Sequence, residues 1–248
     1  MKSKPEIKVD EVEEAVAADP LRKEYHKAFV VNPRRKADLR EHNAALLCID
    51  VQYLDAAEGY GVFAQGGGPD EEKRRYYFDR LASDVLPNMG ALQECFRRHS
   101  LEVIHCRICA LTRDGRDRSA GHKRLNLLAA PGSKEADFLP EVAPIGDEIV
   151  INKTASGVFS STNLHYVLNN MGIGSLYLAG VYTNECVETT ARNACDLGYF
   201  VTVIDDGCAT VTPELHQASL ANLRDRYARI LTTAEAIAEV DRFVEANM

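Results

Sequence analysis

The sequence predicts an α/β fold: a mainly parallel sheet of six strands with helices on both faces, in three layers. Three observations predict it. Short apolar runs without polar alternation recur along the chain, as expected of strands buried on both faces. Stretches with apolar residues at helical spacing separate them. The two kinds of segment alternate from residue 44 to the end, the signature of parallel strands joined by helical crossovers.

Residues 1–43 are polar, with charge clusters and Pro5, Pro20 and Pro33. They read as an N-terminal arm packed on the domain or on a neighbouring subunit, or as a partly disordered tail, with a short helix over Val12–Ala18. Residues 44–248 read as one domain. Ala44–Asp50 is the first strand. The loop Tyr53–Pro69 is rich in glycine and aromatics and ends in Gly66-Gly67-Gly68; it lacks the spacing of a phosphate cradle and suits a lid over a small pocket. Asp70–His99 is helical, broken or kinked near Pro87. Leu101–Ala110 is the second strand, and the polar stretch Thr112–Ala143 crosses to a third strand at Glu148–Asn152. Ser160, Ser161 or Thr162 caps a helix that runs to Asn170 and closes at Gly172.

The organising stretch is Gly174–Gly198. Leu176–Ala179 is a buried strand, Gly180–Thr183 turns sharply, and a helix starts near Asn184 with Val187, Ala191, Ala194 and Cys195 on one face. Tyr199–Ile204 is a fifth strand ending at Asp205-Asp206. Pro213–Tyr227 is a helix with Leu215, Ala218 and Leu223 inward. Ala228–Leu231 is the last strand, and Thr233 caps a helix to about Ala246.

The chain has 248 residues, 46% hydrophobic and 27% charged, the balance of a soluble globular protein. The net charge of −8 disfavours nucleic acid or an anionic membrane as partner. No apolar run approaches the ~20 residues of a spanning helix. The N-terminus shows no apolar signal core, and seven cysteines, an odd number, fit a reducing cytoplasm better than a disulfide framework. Cys106 and Cys109 lack the second pair that a structural zinc site needs.

Parallel strands present their carboxyl ends on one rim, where open α/β sheets keep their chemistry. Three strand ends carry reactive groups: Asp50, Lys153 and Cys186. Taken singly each has an ordinary reading: a cap, a solvated amine, an apolar filler. Together they suit acyl transfer. Lys153 and the helix N-terminus would favour the Cys186 thiolate, and Asp50 would take its proton and return it to a leaving nitrogen. The N–H groups of Cys186 and of the Val181–Tyr182 turn would hold the oxyanion. Arg107 is placed to bind a substrate carbonyl or carboxylate.

Asp50, Lys153, Tyr182 and Cys186 lie in the stretches LLCIDVQ (46–52), INKTASGVFSSTNLHYVL (151–168) and LAGVYTNECVETTARNACDLGY (178–199), which VIDDGCAT (203–210) follows. On them the chain resembles the isochorismatase-like cysteine hydrolases, a family that includes nicotinamidases and amidohydrolases of N-carbamoylsarcosine, ureidoacrylate, biuret and triuret. The resemblance implies a six-stranded parallel sheet, a catalytic triad of Asp50, Lys153 and Cys186, an oxyanion hole at Tyr182 and Cys186, a cis peptide at Val181–Tyr182, and a homodimer or homotetramer. Nicotinamidases carry a metal site with a His-rich loop after the second strand; HCRICALTRDG (105–115) has no such His pair, so no metal and no cofactor are expected. The expected substrate is a small linear amide or ureide, bound by Gln52, Arg107, Tyr182, Asn184 and Glu185. His216 matches a late-helix histidine common in the family, catalytic or structural. The competing readings are an isochorismatase-type vinyl-ether hydrolase, which needs no cysteine nucleophile, a non-catalytic interaction protein on the same fold, and a redox role for Cys106 and Cys109.

Overall fold

A computed structural model describes residues 14–64 and 70–245. Its six strands are β1 (Ala44–Ile49), β2 (Glu102–Ile108), β3 (Ile149–Lys153), β4 (Ser175–Val181), β5 (Phe200–Ala209) and β6 (Arg229–Leu231). They form one sheet in the order β3-β2-β1-β4-β5-β6. Every neighbouring pair is parallel. β1 and β4 sit at the centre, and every residue of both is buried, so their runs of apolar residues need no polar alternation.

The longer helices are α1 (Arg34–Arg40), α2 (Glu71–Arg80), α3 (Leu86–Arg98), α4 (Leu164–Asn170), α5 (Glu188–Asp196), α6 (Pro213–Leu223) and α7 (Thr233–Glu245). Alternate side chains of each strand divide the core into two layers. Leu46, Cys48 and Val103 pack with Met89 and Phe96 of α3 and Val240 of α7. Ala45, Leu47 and Ile49 pack with Leu168 of α4, Ala191 of α5 and Leu220 of α6. The three layers expected from the alternation of elements follow from these two faces.

Several elements differ from the sequence reading. Pro87 does not break its helix: it occupies the first turn of α3, where its missing N–H costs nothing. The departure from α geometry falls one turn earlier, at the π-turn Leu81–Val85. β5 continues through Asp205-Asp206 to Ala209, but its pairing with β4 slips between Leu178↔Val203 and Gly180↔Cys208. The extra residues bow outward, which frees the two aspartates for side-chain duties. Asp206 accepts hydrogen bonds from the Thr233 N–H and hydroxyl. The cap of α7 is therefore Thr232, which exchanges bonds with Glu235, rather than Thr233. On α6 the inward residues are His216, Leu220 and Leu223, at i, i+4 and i+7, and Leu215 is exposed.

The segment before β1 packs on the domain: Ser175 donates to Asp38 of α1 at 2.7 Å, and the buried Arg35 guanidinium lies over the Phe200 ring. The short helix expected over Val12–Ala18 is seen at 14–17; residues 1–13 and the 65–69 part of the lid loop lie outside the described residues. No helix among the described residues is long and apolar enough to cross a membrane.

Candidate active site

Asp50 follows β1 directly. Its N–H still bonds the Cys106 carbonyl of β2 at 2.9 Å, but its φ of 55° turns the chain sharply out of the strand. Aspartate tolerates that left-handed conformation better than most residues. The carboxyl is buried beneath the rim, 1% exposed.

Lys153 ends β3, two strands away. Ile108 is its register partner on β2. The long side chain spans that strand and reaches Asp50, with Nζ 2.8 Å from Oδ2. Nζ also donates to the Ala155 carbonyl at 3.1 Å and to Cys186 Sγ at 3.2 Å. Lysine is almost never fully buried without a partner; here it is 0% exposed and its three donors are all used.

Cys186 arrives through the turn after β4. A side chain at Gly180, φ 134°, would collide with the Ile49 carbonyl of β1, so only glycine lets the two central strands stay together there. The Val181–Tyr182 peptide is cis, as the resemblance implied. Thr183–Val187 then forms a π-turn that leads into α5, and Cys186 lies buried in it.

Burial dominates the electrostatics. It pushes the Cys186 thiol well above its ordinary range, with Lys153 pulling the other way. It also raises the Asp50 carboxyl, again opposed by Lys153. Neighbouring Asp50 and Cys186 raise Lys153 against the same desolvation, so it stays an ammonium. Burial therefore opposes the thiolate that Lys153 favours. Beyond the Lys153 ion pair, the Asp50 oxygens have no well-aligned hydrogen bond among the described residues.

A cavity of about 320 Å³ opens over the sulfur. Tyr182, Asn184 and Glu185 line it, as expected. Asn184 accepts from the Thr210 hydroxyl at 2.5 Å, and Tyr182 donates its hydroxyl to the Asp55 carbonyl at 3.1 Å. Glu185 is exposed at the mouth, yet the protein around its carboxyl raises it, Lys153 opposing.

Two expected ligands are elsewhere. Arg107 alternates with Cys106 and Ile108 along β2, so it projects from the opposite face to Ile108, which lines the cavity. There it bonds Asn152 at 2.8 Å and the Ala136 carbonyl at 2.7 Å and lies over the Phe138 ring. Gln52 is fully buried under the floor. Its amide bonds both backbone groups of Ile108, at 2.6 and 2.9 Å, and the Glu135 carbonyl at 2.8 Å, tying the end of β1 to β2. It is a positioning residue and does not line the cavity.

Three groups escaped the sequence reading. Asp55 and His122 line the cavity. Burial first, then Asp50, raises the Asp55 carboxyl well above its usual range, and burial with Lys153 lowers His122 to about 4. Thr183 bonds His216 Nδ1 at 2.9 Å, and His216 Nε2 bonds Asp205 at 2.8 Å, giving that histidine a bracing role behind the turn. Asp55 follows Asp50 by five residues inside the lid loop, where nothing in the local pattern marks a side chain that turns back toward β1.

Among the described residues, one trio has the donors for a metal: Cys95, His99 and Asp241. The same Asp241 oxygen lies 2.6 Å from the Arg98 guanidinium, which opposes a cation there. Cys106 and Cys109 pack in different apolar clusters, and all seven cysteines are free thiols.

The six-stranded parallel sheet with helices on both faces is the fold of the solved isochorismatase-like hydrolases. The isochorismatase domain model matches residues 44–235, and the chain belongs to that family of hydrolases. It is 30% identical over 208 residues to the isochorismatase family protein YecD of Escherichia coli, covering 81% of this chain and 97% of that one. It is 35% identical over 107 residues to the ureidoacrylate amidohydrolase RutB of Acinetobacter baylyi, covering 43% of this chain and 44% of that one. The crystal structure of an isochorismatase-like hydrolase from Alkaliphilus metalliredigens superposes with a TM-score of 0.61 at 26% identity, covering 79% of this chain and 98% of that one.

Proposed function

We propose that the protein is a cysteine-dependent amidohydrolase that cleaves a C–N bond of a small linear amide or ureide. One observation carries the reading: Lys153 Nζ stands between Asp50, at 2.8 Å, and Cys186 Sγ, at 3.2 Å, on the floor of a cavity of substrate size. In that arrangement Asp50 is the general base. As Cys186 Sγ attacks the substrate carbonyl, Asp50 takes the thiol proton, and Lys153 stabilises the thiolate as it forms. The backbone N–H groups of Tyr182 and Cys186 receive the oxyanion. Asp50 then returns the proton to the leaving nitrogen, and ammonia or an amine departs. Water, deprotonated by Asp50, cleaves the remaining acyl- or carbamoyl-Cys186 thioester. The amidohydrolase name of the RutB relative supports the C–N bond as target.

The test is a panel of small amides and ureides assayed for ammonia, with the protein quenched in acid and weighed by mass spectrometry. A turned-over substrate should leave its acyl mass on Cys186, and treatment with EDTA should not change the rate. Release of pyruvate from a vinyl ether with no ammonia from any amide would overturn the reading.

A further inference from the structure

The cavity wall has an uneven distribution of charge. Two carboxyl side chains, Asp55 and Glu185, face the space above Cys186. No lysine or arginine lines it among the described residues. Lys153 lies below, its ammonium committed to Asp50, Cys186 and Ala155. Arg107, the cation that the sequence offered for a substrate carboxylate, is on the other face of the sheet. His122 is the remaining wall residue able to carry positive charge, and its burial beside Lys153 disfavours that charge.

Asp55 is built into this wall rather than left on it. The hydroxyls of Tyr77 and Tyr182 both donate to its backbone carbonyl, at 2.8 and 3.1 Å. The residue is only 3% exposed, and Oδ2 has no hydrogen-bond partner among the described residues. A buried carboxyl oxygen without a partner is costly unless a ligand supplies one. A substrate N–H supplies it.

We infer that the cavity selects against negative charge: it takes uncharged amides and ureides, whose N–H groups are received by Asp55 and Glu185, and excludes their carboxylate-bearing analogues. The inference rests on the amidohydrolase reading for its substrate class. It also separates this chain from the RutB relative, whose name specifies an acrylate.

Cys186 itself reports the selectivity. Iodoacetamide and iodoacetate have the same size and alkylate the same sulfur, and they differ in one carboxylate. The whole protein is treated with each at neutral pH and the Cys186 peptide is followed by mass spectrometry. The ratio of the two rates is divided by the ratio for a cysteine peptide free in solution. The expected bias toward iodoacetamide is about tenfold or more, the size of one close like-charge repulsion near a protein surface. It should shrink toward unity in Glu185→Gln. A ratio equal to that of the free peptide, or one favouring iodoacetate, overturns the inference, as does a thiol that neither reagent reaches.

Hydrolysis separates this result from the functional reading. N-carbamoylglycinamide and N-carbamoylglycine differ in the same single charge. Ammonia from the amide, at a kcat/KM about tenfold or more above that for the acid, supports both. Equal or faster release from the acid overturns the selectivity and leaves the amidohydrolase standing. No ammonia from either, with the alkylation bias intact, overturns the amidohydrolase and leaves the selectivity of the cavity.

Discussion

Two polar chains of the same outward form flank the turn between β4 and α5. One is Asp50–Lys153–Cys186; the other is Asp205–His216–Thr183, linked at 2.8 and 2.9 Å. By residue type and distance alone the latter is closer to a hydrolytic triad, being an aspartate, a histidine and a hydroxyl. Access separates them. Cys186 lines a cavity, while Thr183 is 0% exposed and its hydroxyl is engaged by His216. Arg80 donates to the Asp205 carbonyl at 3.0 Å and lies 3.5 Å from its carboxylate, which holds the aspartate against the histidine. On the proposed function the same three-link construction would serve as chemistry on one side of a turn and as a brace on the other, and the deciding feature is whether a substrate can reach the last atom.

The sharpest way to break this comparison is to remove the two end atoms. Cys186→Ser should lower turnover by at least about a thousandfold, the loss typical of a missing nucleophile, with the circular dichroism spectrum unchanged. Thr183→Val should leave turnover within about tenfold of the parent. More than a few per cent activity in the first, or none in the second, would reverse the roles assigned to the two chains.

The middle links differ in what their loss exposes. Lys153→Met leaves a buried carboxylate uncompensated and should cost about 3–5 kcal/mol in urea unfolding, with activity lost. His216→Leu removes hydrogen bonds from Asp205, which Arg80 still reaches, and should cost about 1–3 kcal/mol with hydrolysis retained. Equal losses in unfolding free energy would show that the Lys153 pair is not buried as described.

The two aspartates should respond oppositely to acid. Asp50 is raised by burial, so the acid limb of kcat/KM, where the base becomes protonated, should lie above the ordinary carboxylate value of about 3.9. Asp205 is held below that range by the His216 hydrogen bond. A depressed folded value contributes stability that is present above the unfolded value and is lost as pH falls through the folded one. Activity should therefore decline on acidification before the Asp205 contribution is lost. Coincident midpoints for activity and unfolding would contradict this order.

The smallest effect is expected at Arg107. Arg107→Ala should leave KM within about twofold, because the guanidinium meets Asn152 and Ala136 rather than the cavity. A large rise in KM would restore it as a substrate ligand.

Much of the fold was legible because it rests on local patterns. The apolar runs of β1 and β4 had to be central strands, and the reactive residues at their ends had to share a rim once the sheet was parallel. The bow in β5 was not legible: VIDDGCAT reads as a strand that stops at its aspartates, and only the slipped pairing with Gly180 and Val181 shows that it continues. Nor was the fate of Arg107 and Gln52. Arg107 was placed by its position near a strand end, and strand alternation then turned it to the far face.

The sequence by itself determined the order of strands and helices along the chain and the meeting of Asp50, Lys153 and Cys186. These follow from periodicity and chain direction, which are properties of consecutive residues. The tertiary structure alone decided which polar groups face the cavity. Asp55 became part of its wall because two tyrosines from distant segments hold its backbone, and the Cys186 thiol is raised because the surrounding layers bury it. Burial and long-range contact set both, and neither is written in any local pattern.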